Sequence, residues 1–285
     1  MENFELSAFL TISGIGAASG MVFKDNQLYI ISDNSGFLYQ YNLTLNKLNK
    51  HPLVPNATEN TRKKLKSDFE SITLNGNNLH VFGSGSTANR NQEIIFNIEN
   101  QSIQEKDATF LYQNIKETVP IADCDLNIEG AFYYQDYLYL FQRGNGANSK
   151  NGIIKINFNG NSNFNGNSND NFNNKIQFQS VQLPKISHIE ATFTDAILIE
   201  DKIYFLAAAE DTDSTYFDGE VLGSLVGRLD LETMAVDFTI IITDNIKFEG
   251  ITLFKKTNQS LTFLLCEDND TENLESIIYE LKLNF

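Results

Sequence analysis

Glu70-Ser71-Ile72-Thr73-Leu74, a polar turn, and Leu79-His80-Val81-Phe82-Gly83-Ser84 form one copy of a unit that recurs along this chain. Two short apolar runs joined by a tight polar turn read as a β-hairpin. The same hairpin appears as Ser19-Gly20-Met21-Val22-Phe23 with Leu28-Tyr29-Ile30-Ile31-Ser32-Asp33, and as Glu129-Gly130-Ala131-Phe132-Tyr133 with Leu138-Tyr139-Leu140-Phe141-Gln142-Arg143. It returns as Thr194-Asp195-Ala196-Ile197-Leu198 with Ile203-Tyr204-Phe205-Leu206-Ala207-Ala208, and as Glu249-Gly250-Ile251-Thr252-Leu253 with Leu261-Thr262-Phe263-Leu264-Leu265-Cys266. In the first four copies the last residue follows the first by 14 positions, and only the fifth is longer, with an enlarged turn at 255–260. Equivalent units repeated along a chain are the signature of a repeat architecture.

Each hairpin is followed by two more strand-like runs: 37–43 and 48–54, 93–98 and 108–115, 152–158 and 175–183, 225–231 and 236–243. The fifth has only 276–283, while an unused strand, 5–12, stands near the start of the sequence. Four strands per unit with one left over predict an all-β, five-bladed β-propeller, one domain over 1–285. The N-terminal strand would close the last blade and remove an exposed sheet edge. A six-bladed propeller is the alternative count. A β-sandwich also has many short strands, but it predicts neither equivalent repeats nor a spare strand. Residues 157–174 are rich in Gly, Asn and Ser and read as a surface loop of the third blade. Thr212 to Ser224 reads as a long loop beside the functional face, either a lid or a passive connection.

Of the 285 residues 41% are hydrophobic, with 22 Phe and 11 Tyr, a composition suited to strands around a full core. The formal net charge of −16 repels phosphate backbones and anionic lipid, which argues against nucleic acid and membrane surfaces as partners. A small anionic molecule or a protein is the expected partner. The acidity attracts cations; its other reading is solubility alone. Cys124 and Cys266 lie far apart with no ligand-type spacing and read as reduced and structural. With no signal-like N-terminal run and no long apolar segment, the expected location is the cytoplasm, a trimmed secreted chain being the alternative.

In a propeller the first strand of each blade lines the central channel, so Ser19, Glu70, Glu129, Thr194 and Glu249 converge on one axis. Crowded carboxylates must either hold protons or hold a cation. Oxygen ligands with no His or Cys nearby favour Ca2+, then Mg2+, over Zn2+. The alternative is that these Glu residues bond neighbouring backbone and seal the channel. The second strand returns to the same face, placing Asp33, Ser84 and Arg143 around the site, with Glu210, Asp211, Glu267 and Asp268 just beyond. Asn34, Asn89 and Asn145 sit in adjoining loops. Arg143 can clamp an anion bidentately or pair with Glu129 or Asp33. The run Arg62-Lys63-Lys64-Leu65-Lys66 can steer an anion to the mouth, or is solvated surface. His188 is the histidine nearest this face and a remote candidate for a general base.

The opening hairpin, Ser19 to Asp33, resembles that of the calcium-activated nucleotidases (the apyrase family). Glu129-Gly130-Ala131, Phe141-Gln142-Arg143 and Cys266-Glu267-Asp268 fall at comparable places. Glu249-Gly250-Ile251 also resembles the phytase-like esterase and SdiA-regulated propellers of bacteria. The resemblance implies five blades and a central Ca2+ held by Ser and Glu at inner-strand starts. Thr194, Ala208 and the absence of Trp depart from the nucleotidase pattern. The expectation is therefore a Ca2+-binding propeller that hydrolyses a phosphate or other ester. Glu70, Glu129 and Glu249 would hold the metal, Arg143 the anionic group, and Asp33, Glu210 or Glu267 would be the general base. A non-catalytic binding propeller with a structural metal is the competing expectation.

Overall fold

The computed structural model describes residues 3–122, 125–146, 150–158, 175–212, 219–269 and 274–285. After β1 (Phe4–Ser13), the first blade is β2 (Ala18–Lys24), β3 (Gln27–Ser32), β4 (Phe37–Asn42) and β5 (Lys47–Pro52). The second is β6 (Phe69–Asn75), β7 (Asn78–Gly83), β8 (Gln92–Asn97) and β9 (Ile103–Asp107), followed by helix α1 (Thr109–Thr118). The third is β10 (Ile128–Tyr134), β11 (Tyr137–Gln142), β12 (Gly152–Asn157) and β13 (Ile176–Ser180). A two-residue hairpin, β14 (Lys185–Ile186) and β15 (Ile189–Glu190), leads to the fourth blade: β16 (Thr192–Ile199), β17 (Lys202–Asp211), β18 (Glu220–Asp230) and β19 (Val236–Thr243). The fifth is β20 (Phe248–Lys256), β21 (Ser260–Glu267) and β22 (Glu275–Asn284), with β1 as its outer strand. β1 pairs antiparallel with β22 from Phe4↔Leu283 to Ser13↔Glu275. The five-bladed propeller closed by its N-terminal strand is the architecture found.

Apolar side chains fill the wedges between blades. Between the third and fourth, Phe141, Phe193 and Phe205 stack edge to face with centroids 5.1 Å apart at each step, and Ile153 is buried with them. Inner strands approach so closely that side chains are excluded at some positions. A Cβ on Gly250 would lie 2.5 Å from Cys266 Sγ and 3.0 Å from Gly20 Cα, which explains the Gly that follows Ser19 and Glu249.

Three sequence expectations change. The run 108–115 belongs to α1 rather than to a strand. Its buried Leu111, Tyr112 and Ile115 have helical spacing, and the Asp107 carboxylate accepts the Thr109 N–H at the start. The stretch from Thr212 to Ser224 is not all loop, because β18 begins at Glu220; residues 213–218 lie outside the described residues, as do 159–174 of the low-complexity run and Cys124. In the fifth hairpin the register pairs Phe248 with Glu267, as Phe69 pairs with Gly83 and Ile128 with Gln142. The equivalent of Asp33, Ser84 and Arg143 is therefore Asp268, two residues beyond Cys266. Among the described residues, no helix is long and apolar enough to cross a membrane.

Candidate functional site

Each inner strand carries a β-bulge, and it falls on the same residue of the repeat. The ladder skips between Ala18 and Gly20, Phe69 and Ser71, Ile128 and Gly130, Phe193 and Asp195, and Phe248 and Gly250. The extra residues are Ser19, Glu70, Glu129, Thr194 and Glu249. A bulge leaves its residue unpaired in the ladder and re-aims its side chain, which is how five strands present one position to the axis.

The five then part company. Glu70, Glu129 and Glu249 line a cavity of about 210 Å3 at the channel mouth, whereas Ser19 and Thr194 do not. Their buried hydroxyls donate to neighbouring blades, Ser19 to Phe69 O at 2.5 Å and Thr194 to Phe248 O at 2.6 Å. Each thereby braces the residue that precedes a cavity glutamate.

Of the other candidates, Asp33, Arg143 and Glu210 line the cavity with Asn34 and Asn145. Glu267 does not; it accepts a hydrogen bond from Tyr279 at 3.1 Å, and its neighbour Asp268 lines the cavity in its place. Asn89 stands behind the wall, donating to Lys66 O at 3.1 Å. His188 is exposed, 3.6 Å from Asp211, and away from the lining.

Sequence reasoning placed Arg143 at the mouth and Lys66 in a basic run beside it, but it missed Arg90, Lys247 and their companions. Asp68, Asn127 and Lys247 each precede a cavity glutamate by two residues, so strand alternation is the signal that points to them. Their carbonyls accept the N–H of Ser84, Arg143 and Asp268, closing the strand ends at the mouth. Lys66 and Arg90 complete the wall. Lys66 pairs with Asp33 and lies 2.7 Å from Asp68, whose other oxygen is 2.7 Å from Arg90. On the opposite side Arg143 reaches Glu129 at 3.2 Å, Glu210 at 2.5 Å and Glu249 at 3.7 Å. Lys247 reaches Glu249 at 2.7 Å and Asp268 at 3.2 Å. Asn127 donates to Glu129 Oε1 at 2.6 Å.

Among the described residues the lining thus holds seven carboxylates (Asp33, Asp68, Glu70, Glu129, Glu210, Glu249, Asp268) against five cations (Lys63, Lys66, Arg90, Arg143, Lys247). Glu70 is the exposed end of that imbalance. It is 9% exposed and makes no hydrogen bond or ion pair among the described residues. Burial pushes its carboxyl well above the usual range, and Asp68, Glu129 and Glu249 add repulsion. Asp33 Oδ1 beside it is buried without a hydrogen-bond partner. One oxygen each from Asp33, Asp68 and Glu70 lies within 4.8 Å of the others. Glu210 is the opposite case. Burial alone would raise it, but Arg143, Lys247 and the Gly219 N–H hold it at about 2.

With this geometry in hand, comparison with known proteins gives a family. Residues 14–283 match the family described as a family of unknown function (DUF6929). The chain belongs to that family. No curated protein sequence matches it. Among solved structures it is similar to the glutaminyl cyclase of Myxococcus xanthus, with a TM-score of 0.52 and 11% identity over 98% of this chain and 97% of that one. It is also similar to the PQQ-bound aldose sugar dehydrogenase of Streptomyces coelicolor, with a TM-score of 0.51 and 8% identity over 98% of both chains. At such identities the likeness is one of fold.

Proposed function

We propose that the channel mouth of this DUF6929 member is a hydrolytic site for a small carboxylic ester. A divalent cation, Ca2+ ahead of Mg2+, would be held by Asp33, Asp68 and Glu70. The observation that carries this reading is Glu70, a buried carboxyl that faces other carboxylates and makes no ion pair among the described residues. Lys66 acts on it only from beyond pairing distance. An all-oxygen set that includes the orphaned Asp33 Oδ1 suits a hard cation. Binding requires the Lys66 ammonium to swing away from Asp33 and Asp68. The cation would supply polarisation of the ester carbonyl or of a water.

The remaining roles follow from what is already committed. Arg143 has both terminal nitrogens on carboxylates, so it positions Glu129 and Glu210 instead of clamping an anion. Lys66, Arg90, Arg143 and Lys247 are each already paired with carboxylates, so a phosphate ester finds less to bind here than a neutral ester does. Glu129, with Oε1 fixed by Arg143 and Asn127, acts as general base through Oε2. Asn34 and Asn145 orient the substrate from the rim.

A second reading has its own observation: Arg143 ties together carboxylates of the third, fourth and fifth blades, so the charges can serve as staples in a non-catalytic binding propeller. The test is Ca2+ calorimetry on chelator-stripped protein together with a p-nitrophenyl ester assay. Stoichiometric binding lost in Glu70→Gln, with Ca2+-dependent hydrolysis lost in Glu129→Gln, is expected. Binding with no hydrolysis of any ester supports the staple reading, and no binding removes the cation from both.

A further inference from the structure

The second blade departs from its own repeat. In the other blades the second strand turns Tyr29, Tyr139, Tyr204 or Leu264 toward the next blade; the equivalent here is His80. On the adjoining strand the third, fourth and fifth blades bury Ile153, Val226 and Ile278. The second blade buries Glu93 there, with no exposed surface. Facing them from the third blade is Tyr133, where the other inner strands carry Phe23, Leu74, Leu198 and Leu253.

These three departures meet. His80 Nδ1 lies 2.7 Å from Glu93 Oε1 and 3.4 Å from the Tyr133 hydroxyl, and the His80 and Tyr133 ring centroids are 4.8 Å apart. Glu93 Oε2 is buried with no hydrogen-bond partner, and Lys106 Nζ is 3.7 Å from it. A carboxylate buried where the repeat places an aliphatic side chain works against stability, so the fold alone does not ask for it.

A pocket of about 390 Å3 opens at this point. It lies on the face opposite the channel mouth, since Glu70 starts β6 at the mouth and Asn75 ends it, roughly 17 Å further along the strand. Asn75, Asn78, Asn97 and Gln104 line it, with His80 and Tyr133, and among the described residues no carboxylate lines it, in a strongly acidic chain. His80 Nδ1 is engaged by Glu93 and Tyr133, and Nε2 has no hydrogen-bond partner among the described residues.

We propose that this pocket binds a neutral, hydroxyl-rich small molecule, a sugar or polyol. His80 Nε2 hydrogen-bonds one hydroxyl, which can donate or accept, and the Asn and Gln amides, each both donor and acceptor, pair with others. The Tyr133 ring covers the apolar C–H face. An anion finds only Lys106, which is already beside Glu93.

The experiment is saturation-transfer NMR of the full chain with glucose, N-acetylglucosamine and myo-inositol. Transfer to at least one probe is expected. The double variant His80→Tyr/Glu93→Ile restores the side chains of the third blade; it abolishes the transfer while raising Tm. Should that variant fail to fold, Asn75→Ala/Gln104→Ala, confined to the pocket surface, weakens binding about fivefold or more. Three outcomes would each overturn the proposal: no transfer to any probe, transfer unchanged in the variants, or a lower Tm in a folded double variant.

Discussion

Replacing Arg143 by Met keeps most of the side-chain stem and deletes one charge from the middle of the site. Arg143 is 4% exposed, and its guanidinium lies 3.2 Å from Glu129, 2.5 Å from Glu210 and 3.7 Å from Glu249. Removing one partner from a buried ionic network costs about 3–5 kcal/mol, because the partners left behind stay desolvated. In a chain of this size each kcal/mol moves Tm by about 2–4 °C, so the expected fall is roughly 6–20 °C near neutral pH. The loss has a pH signature. Burial already pushes the carboxyls of Glu129 and Glu249 up, against the pull of Arg143 and Lys247. Without Arg143 both rise further above their unfolded values. Such groups contribute stability that is present below the unfolded pKa and lost as pH rises through the folded one. The deficit of Arg143→Met is therefore smallest near the ordinary carboxyl pKa of 4.5 and grows toward alkaline pH. Thermal unfolding of both proteins by circular dichroism across that range is the assay. A Tm within about 2 °C of wild type throughout, or a deficit that does not change with pH, would refute the reasoning.

The same linkage acts at Glu70, whose carboxyl is held up by burial and by neighbouring carboxylates. With chelator present, Glu70→Gln should gain on wild type in Tm as pH rises, and parallel Tm–pH curves would count against it. Glu210 carries the opposite sign. Held at about 2, it contributes stability above its unfolded value of 4.5 that is lost as pH falls from there through about 2. Glu210→Gln should flatten the acid limb of the Tm–pH curve, and an unchanged limb would show that its pairing contributes nothing. Gly250→Ala puts a Cβ 2.5 Å from Cys266 Sγ and 3.0 Å from Gly20 Cα. It should lower the urea midpoint by the equivalent of about 1–3 kcal/mol, and an unaltered midpoint would show that the two inner strands can separate without cost.

The fold was legible because every blade writes the same local pattern, and because the strand that the last blade lacked stood at the start of the chain. What the pattern could not carry was register in the fifth copy. Its turn is longer, so counting from Glu249 stops at Cys266, and only the ladder shows that Asp268 is the mouth residue. Helix α1 was missed for a related reason: Leu111, Tyr112 and Ile115 were read with the expected fourth strand of a blade, although Ile103–Asp107 already supplies it.

The site was legible in its acidic ring and in Arg143. The glutamates sit at a fixed place in each repeat, and the bulge explains why that place faces the axis. Arg143 directly follows a second strand, and Lys247 stands two residues before its glutamate. Other blades fill those places with Asp33, Ser84 or Asp268 and with Asp68 or Asn127, so the repeat marks the position but not its charge. Lys66 precedes Glu70 by four residues, Lys247 precedes Glu249 by two, and Arg143 answers Glu210 across 67 positions. Which carboxylate each one neutralises depends on which blades stand side by side. Seen as a ring, five converging residues call for one central cation. Seen with their partners, Glu129 and Glu249 are compensated by Arg143 and Lys247, and the unbalanced charge collects at Glu70 beside Asp33 and Asp68. The cation proposed above therefore belongs off the axis, in the sector between the first and second blades. There, Lys66 is the residue any incoming cation must displace.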